Sequence, residues 1–218
     1  MVKIGVLGGI GPEATGIFYS RLVKELQASR IIEKNTDFPQ IIINSIPAPE
    51  LLSLKPSKKE LAPYFQGLKE LDSLKPDFII MACNTIHVFR NLLQRRTSSE
   101  IIDLRKEAKN FLASKKINKI CVLGTPLTLN SRLFEFDGFK TIRPDRKEQA
   151  IISKAIFHYN KGVEKRKQVK SLEKIARKHS KNAVLLLACT EISLMLKGLN
   201  CRKIDTMDVM INAVLKRL

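Results

Sequence analysis

Two cysteines in this chain share one local context. Cys83 follows the apolar run Ile79-Ile80-Met81-Ala82 and precedes Asn84-Thr85, while Cys189 follows Leu185-Leu186-Leu187-Ala188 and precedes Thr190-Glu191. A side chain where a buried strand gives way to a helical pattern sits at the sheet end that binds ligands. Backbone N–H groups there favour thiolate, lowering a cysteine pKa from about 8.5 toward neutrality. They also suit a substrate carboxylate, and the hydroxyls of Thr85 and Thr190 are placed to cap a helix or bind that carboxylate. Two such thiols on opposite sides of one substrate form a two-base pair. The thiolate takes a proton from a carbon acid and the thiol returns one to the other face, which inverts an amino acid at Cα. No pyridoxal electron sink is implied, so fixed N–H donors have to stabilise the carbanion.

The other cysteines, Cys121 and Cys201, read as small buried apolar residues. The four show no CxxC pair and no histidine at metal-ligand spacing, so neither a zinc site nor a disulfide framework is expected.

The elements that position these residues alternate along the chain. Continuous Ile-, Val- and Leu-rich runs at 3–7, 40–46, 78–82, 101–104, 119–123, 183–188 and 203–205 predict parallel strands buried on both faces. Between them lie helical stripes, such as Ala14, Ile17, Phe18, Leu22 and Leu26, with Pro12 suited to a first turn. Leu61, Tyr64, Phe65, Leu68 and Leu71 form a second stripe. The class is α/β.

The chain also repeats itself. Lys3-Ile4-Gly5-Val6-Leu7-Gly8 is echoed by Lys119-Ile120-Cys121-Val122-Leu123-Gly124, in the same order as the two cysteine segments. Two echoes in register predict two similarly folded lobes meeting near residues 101–106. Residues 1–104 with 205–218 form the first, and 105–204 the second. The stretch 204–218 is expected to return, as a strand and a helix, to the first lobe.

The 44% apolar and 28% charged composition is that of a globular protein, and no apolar run is long enough for a membrane span. The start, Met1-Val2-Lys3-Ile4-Gly5, has no signal-peptide core, so a cytoplasmic location is expected. The net charge of +18 attracts anions. Much of it lies in the run 161–181, which reads as a solvated helix face. No aromatic residues interleave there to stack bases, so nucleic acid is not the expected partner.

Three segments carry a family resemblance. Gly8-Gly9-Ile10-Gly11-Pro12-Glu13-Ala14-Thr15, Met81-Ala82-Cys83-Asn84-Thr85-Ile86-His87 and Ala188-Cys189-Thr190-Glu191-Ile192 resemble the signatures of the aspartate/glutamate racemase family, in its aspartate-racemase branch. The resemblance implies two Rossmann-like lobes related by a pseudo-twofold axis, with the active site at the interlobe cleft. It further implies a homodimer and a reaction without a cofactor. It assigns acid/base catalysis to Cys83 and Cys189. Ile10, Gly11, Asn84, Thr85, Thr125 and Thr190 are implied to surround the substrate. Lys161 is similar to a substrate-binding lysine of the family. Glu191 is expected to orient or tune Cys189, and His87 to support the site from behind.

One segment departs from that pattern. Many aspartate racemases carry Ile-Pro-Asp-Arg after the second strand, where this chain has Ile46-Pro47-Ala48-Pro49 and no arginine clamp for a carboxylate. Aspartate is the first expectation, and glutamate or a broader range of amino acids becomes more plausible. Rival readings are a diacid isomerase or decarboxylase of the same superfamily and an inactive basic binding protein on the same fold. A dinucleotide enzyme is a third rival, since Gly9-Ile10-Gly11-Pro12-Glu13-Ala14 fits GxGxxA. The second strand lacks an acidic residue to hold a ribose, which argues against that last reading.

Overall fold

The computed structural model describes residues Met1–Leu218. It contains strands β1 (Lys3–Gly8), β2 (Gln40–Ser45), β3 (Phe78–Met81), β4 (Glu100–Ile101), β5 (Lys119–Gly124), β6 (Lys140–Ile142), β7 (Val184–Ala188) and β8 (Lys203–Asp205). The α-helices are α1 (Pro12–Ala28), α2 (Lys58–Ser73), α3 (Arg90–Gln94), α4 (Leu104–Ser114), α5 (Pro126–Asn130), α6 (Arg146–Asn160), α7 (Lys165–Ser180), α8 (Thr190–Met195) and α9 (Thr206–Leu215). The chain divides into one unit of Met1–Asp103 with Met210–Leu218 and another of Leu104–Val209.

Each unit holds one four-stranded parallel sheet, ordered β2-β1-β3-β4 in the first and β6-β5-β7-β8 in the second. The orders are equivalent strand for strand. The central strands β3 and β7 are buried along their whole length, which explains their continuous apolar runs. Removing each such Leu or Ile from water contributes about 1.5–3 kcal/mol.

Local signals fix the helix starts. Ser57 accepts from Glu60 N while the Glu60 carboxylate accepts from Ser57 N, a capping box that opens α2. Asp145 and Glu148 do the same for α6.

Three details differ from the sequence expectation. The strand β6 was not predicted, because a three-residue edge strand reading Lys-Thr-Ile has no apolar run. The strand expected at 101–104 ends at Ile101, and Leu104 instead opens α4. The strand β8 pairs with β7 in the second sheet and does not return to the first. Hydrogen bonding decides this, since Leu185 N donates to Arg202 O and the register runs Leu186↔Ile204.

Candidate active site

In the first unit, β1 and β3 end side by side, with Leu7 opposite Met81 and Ala82 N donating to Leu7 O. The loop after β1 therefore emerges next to the segment that carries Cys83. This loop needs its glycines. Gly9 has φ +86°, and a Cβ there would lie 2.3 Å from Ile46 O. Gly11, at φ 93°, opens α1 in a left-handed conformation, with Pro12 at the first helical position. Thr15 closes the turn by accepting from Gly9 N and donating to Gly11 O. The result is a tight backbone arch in which Gly11 is buried and Ile10 half-buried.

Cys83 is half-buried, and a 3-10 helix, Thr85–Phe89, follows it before α3. The α-helix expected directly after the cysteine is thus replaced by a tighter turn, and Asn84 at its start makes no side-chain cap. Asn84 is only 3% exposed, and its Oδ1 has no hydrogen-bond partner. His87 is buried with its Nε2 3.3 Å from Met81 O, so that nitrogen carries the proton and Nδ1 is a bare acceptor without a partner. Burial lowers the His87 pKa to about 4, which keeps the ring neutral at ordinary pH.

Tyr64 was legible in the sequence only as part of an apolar stripe. Its hydroxyl donates to Pro49 O at 2.5 Å, tying the loop after β2 to α2. Burial raises the phenol's pKa above its ordinary range, and the nearby charges of Cys83 and Glu50 add to the effect. Both groups are therefore within electrostatic reach of Tyr64. A tyrosine in a helix stripe carries a polar handle that needs a partner when buried, and that signal was available.

The second unit places its cysteine the same way. Gly124 pairs with Ala188, so Thr125 and Cys189 leave adjacent strand ends together. Cys189 is 4% exposed and is the N-cap of α8. Its Sγ donates to Glu191 Oε2 at 2.9 Å, and Thr190 Oγ1 donates to the same oxygen at 3.1 Å. Thr190, expected as a cap or carboxylate donor, is the first helical residue and spends this hydroxyl on Glu191. Glu191 is itself buried, so thiol, hydroxyl and carboxylate form one enclosed triad. Thr125 caps α5 by accepting from Thr128 N.

Lys161 ends α6, with its Nζ 4.0 Å from the Phe157 ring centroid. Gln149 in the first turns of α6 donates to Gly124 O, and α7 returns antiparallel, with Lys178 and His179 bonded to Glu148.

Neither helix behind the cysteines is long, at five residues for α3 and six for α8, so a helix dipole contributes little to the thiols. None of the four cysteines is in a disulfide. Cys121 lies mid-strand, where burial pushes its thiol up to about 12. Cys201 is raised by burial as well. Nowhere do three His, Cys, Asp or Glu side chains converge as metal ligands, and no helix is long and apolar enough to cross a membrane.

Comparison with known proteins bears on the fold and the family. Residues 7–214 match the family described as Asp/Glu/Hydantoin racemase. A Bacillus subtilis (strain 168) protein, the broad specificity amino-acid racemase RacX, is 27% identical over 153 residues, covering 68% of this chain and 67% of its own length. Among solved structures, Picrophilus torridus aspartate racemase superposes with a TM-score of 0.81 at 24% identity, over 99% of this chain and 94% of its own. Glutamate racemase from Francisella tularensis, in complex with D-glutamate, gives 0.65 at 22% identity over 100% and 81%. At these identities the structures speak for the fold, and the family match extends it from β1 to α9. The chain belongs to the Asp/Glu/hydantoin racemase family and is an isomerase of the racemase type.

Proposed function

We propose that the protein racemises an acidic amino acid without a cofactor, using Cys83 and Cys189 as the two acid/bases. One observation carries this reading. The two cysteines directly follow or nearly follow β3 and β7, which hold the same place in two sheets of the same strand order. A reaction needing one proton-transfer group on each face of Cα calls for such a duplicated position.

In one direction, the Cys83 thiolate takes the Cα proton and the electron pair passes into the substrate carboxylate as enolate character. The Cys189 thiol then gives its proton to the opposite face, which leaves Cys83 protonated and Cys189 ionised. The reverse reaction begins from that state. Backbone N–H groups of the Ile10–Gly11 arch, with Asn84, Thr85, Thr125 and Thr190, hold the substrate, and Lys161 approaches one of its carboxylates. Glu191 positions the Cys189 thiol and receives its hydrogen bond. His87, buried and neutral, supports the Cys83 loop and transfers no proton.

Aspartate is the first substrate to test. The loop after β2 carries Ala48, Pro49 and Glu50 in place of an arginine clamp, which favours glutamate or a wider range as well. The name of the Bacillus relative, a broad specificity racemase, supports the wider range. We place the working enzyme in the cytoplasm as a homodimer.

The test is incubation with L-aspartate, L-glutamate and a panel of neutral and basic amino acids in deuterated water, read by chiral chromatography and mass spectrometry. Deuterium enters Cα as the D-enantiomer accumulates. Cys83→Ala and Cys189→Ala each abolish racemisation. Turnover by either variant at the wild-type rate would exclude the two-thiol mechanism.

A further inference from the structure

The basic run at 161–181 reads in the sequence as a solvated face, and the structure shows how it is arranged. At 3.6 residues per turn, Arg166, Arg177, Lys170, Lys181 and Lys174 fall within an arc of about 80° along α7 and its C-terminal extension. All five are exposed, and none makes an ion pair. The opposite side of the helix carries Gln168, Leu172, Ile175 and Ala176, all buried in the second unit.

Compensation is found only at the rims of the stripe. Lys167 pairs with Glu164 at 3.2 Å and Lys178 with Glu148 at 2.7 Å, while Glu173 borders the other side. The centre is left uncompensated, as a straight row of five cations about 22 Å long. Five like charges spaced about one turn apart repel one another, and on α7 only the bordering Glu173 lies one turn from any of them.

We infer that this face of α7 binds the phosphate backbone of duplex nucleic acid, without reading its sequence. A linear row of guanidinium and ammonium groups matches a linear polyanion, whose phosphates lie about 7 Å apart along each strand, near the spacing of cations one turn apart. The stripe has no apolar side chain to enter a bilayer and no aromatic ring to stack on single-stranded bases, which favours duplex backbone over either. This inference is independent of the racemase reading, and Lys161 is not part of the stripe.

Fluorescence anisotropy with a mixed-sequence DNA duplex of about 20 base pairs tests it, from about 50 to about 200 mM salt. Engagement of all five cations gives a slope of log Kobs against log salt of about −4.5, or roughly a 500-fold loss of affinity across that range. Changing Arg166, Lys170, Lys174, Arg177 and Lys181 together to Gln removes the binding and leaves racemisation unchanged. The milder Lys170→Gln/Lys174→Gln pair lowers the slope by about 2. A control with Lys24, Lys55, Lys58, Lys59 and Lys69, all exposed in the first unit, changed to Gln carries the same net charge and keeps the binding. Equal loss in the stripe variant and the control overturns the inference, as does no duplex binding at low salt. Binding to phosphatidylserine-containing vesicles in preference to the duplex overturns it too.

Discussion

The two units carry the same sheet, yet they treat their cysteines differently. In the second, Cys189 is enclosed and its thiol is hydrogen-bonded to the buried Glu191, which Thr190 also contacts. In the first, Cys83 is half-buried, Thr85 stands where Glu191 stands in the second, and the chain turns into a 3-10 helix. The buried Oδ1 of Asn84 has no partner within the protein. Strand positions duplicate because a buried parallel sheet tolerates few residue types, whereas the segments after the strands are free to diverge. In the proposed two-thiol mechanism, in which the thiols are ionised in turn, such divergence lets unlike surroundings set their protonation separately.

Breaking the Glu191 contact gives the largest expected effect short of removing a thiol. Glu191→Gln keeps the shape and takes away the charge, and kcat/KM falls by about 10²–10³. The fall is equal for the two enantiomers, since they are equally stable and the ratio of the two kcat/KM values is fixed at one. Asymmetry shows elsewhere. The Cα-deuterium isotope effect rises in the direction that delivers the substrate proton to Cys189 and falls toward unity in the other, where the slowed second transfer masks abstraction by Cys83. Thr85→Ser, at the matching place beside Cys83, leaves both isotope effects as they were. Equal isotope effects in the Glu191→Gln enzyme would show that Glu191 merely packs.

Much of this was legible in the residues. The echo of Lys3–Gly8 in Lys119–Gly124 identifies β1 and β5, and the runs before the cysteines identify β3 and β7, because buried strands announce themselves as apolar runs. The strand β6 was hidden because an exposed edge needs no such run. The partner of β8 was hidden because pairing across a sheet is decided by hydrogen-bond register. At the candidate site, the repeated strand-end context pointed to Cys189, and the family resemblance pointed to Glu191. The turn type after Cys83 was not legible, nor were the tether from Tyr64 to Pro49 and the neutral state of His87, since each depends on contacts distant in sequence.

The glycine loops sharpen the comparison at the level of stability. Gly9→Ala in the first unit forces a side chain to φ +86° and against the Ile46 carbonyl, at a cost of about 2–3 kcal/mol. Gly124, which ends β5 as Gly8 ends β1, has no positive φ, and a Cβ there would meet Ala188 O at 3.0 Å. Gly124→Ala is expected to cost about 1 kcal/mol. Urea unfolding measures both, and a larger loss for Gly124→Ala would contradict the close approach seen at Gly9. A smaller effect attends Glu148, which ties α6 to α7 through Lys178 and His179. Although burial opposes it, these hydrogen bonds hold the carboxyl down to about 2. Glu148→Gln costs about 1–2 kcal/mol at neutral pH. Wild type and variant converge as the pH falls through about 4 toward 2, where the carboxylate is protonated.

The smallest predicted difference is one of acid sensitivity. His87, in the first unit, is held from its ordinary 6.5 to about 4 by burial. A group whose folded pKa is depressed binds more protons unfolded than folded between those values, so its stability contribution is complete above 6.5 and is lost as pH falls toward 4. Glu148, in the second unit, loses its contribution only below the ordinary 4.5. The first unit should therefore loosen first. Hydrogen exchange followed by mass spectrometry at pH 7 and pH 5, with intrinsic rates corrected, should show lost protection in β3 and α3 while β7 and α7 stay closed. His87→Leu removes the titrating ring, and its β3 protection should no longer depend on pH in that window. A pH 5 response that begins in α7, or one that survives in His87→Leu, would mean that another group governs the acid response of the first unit.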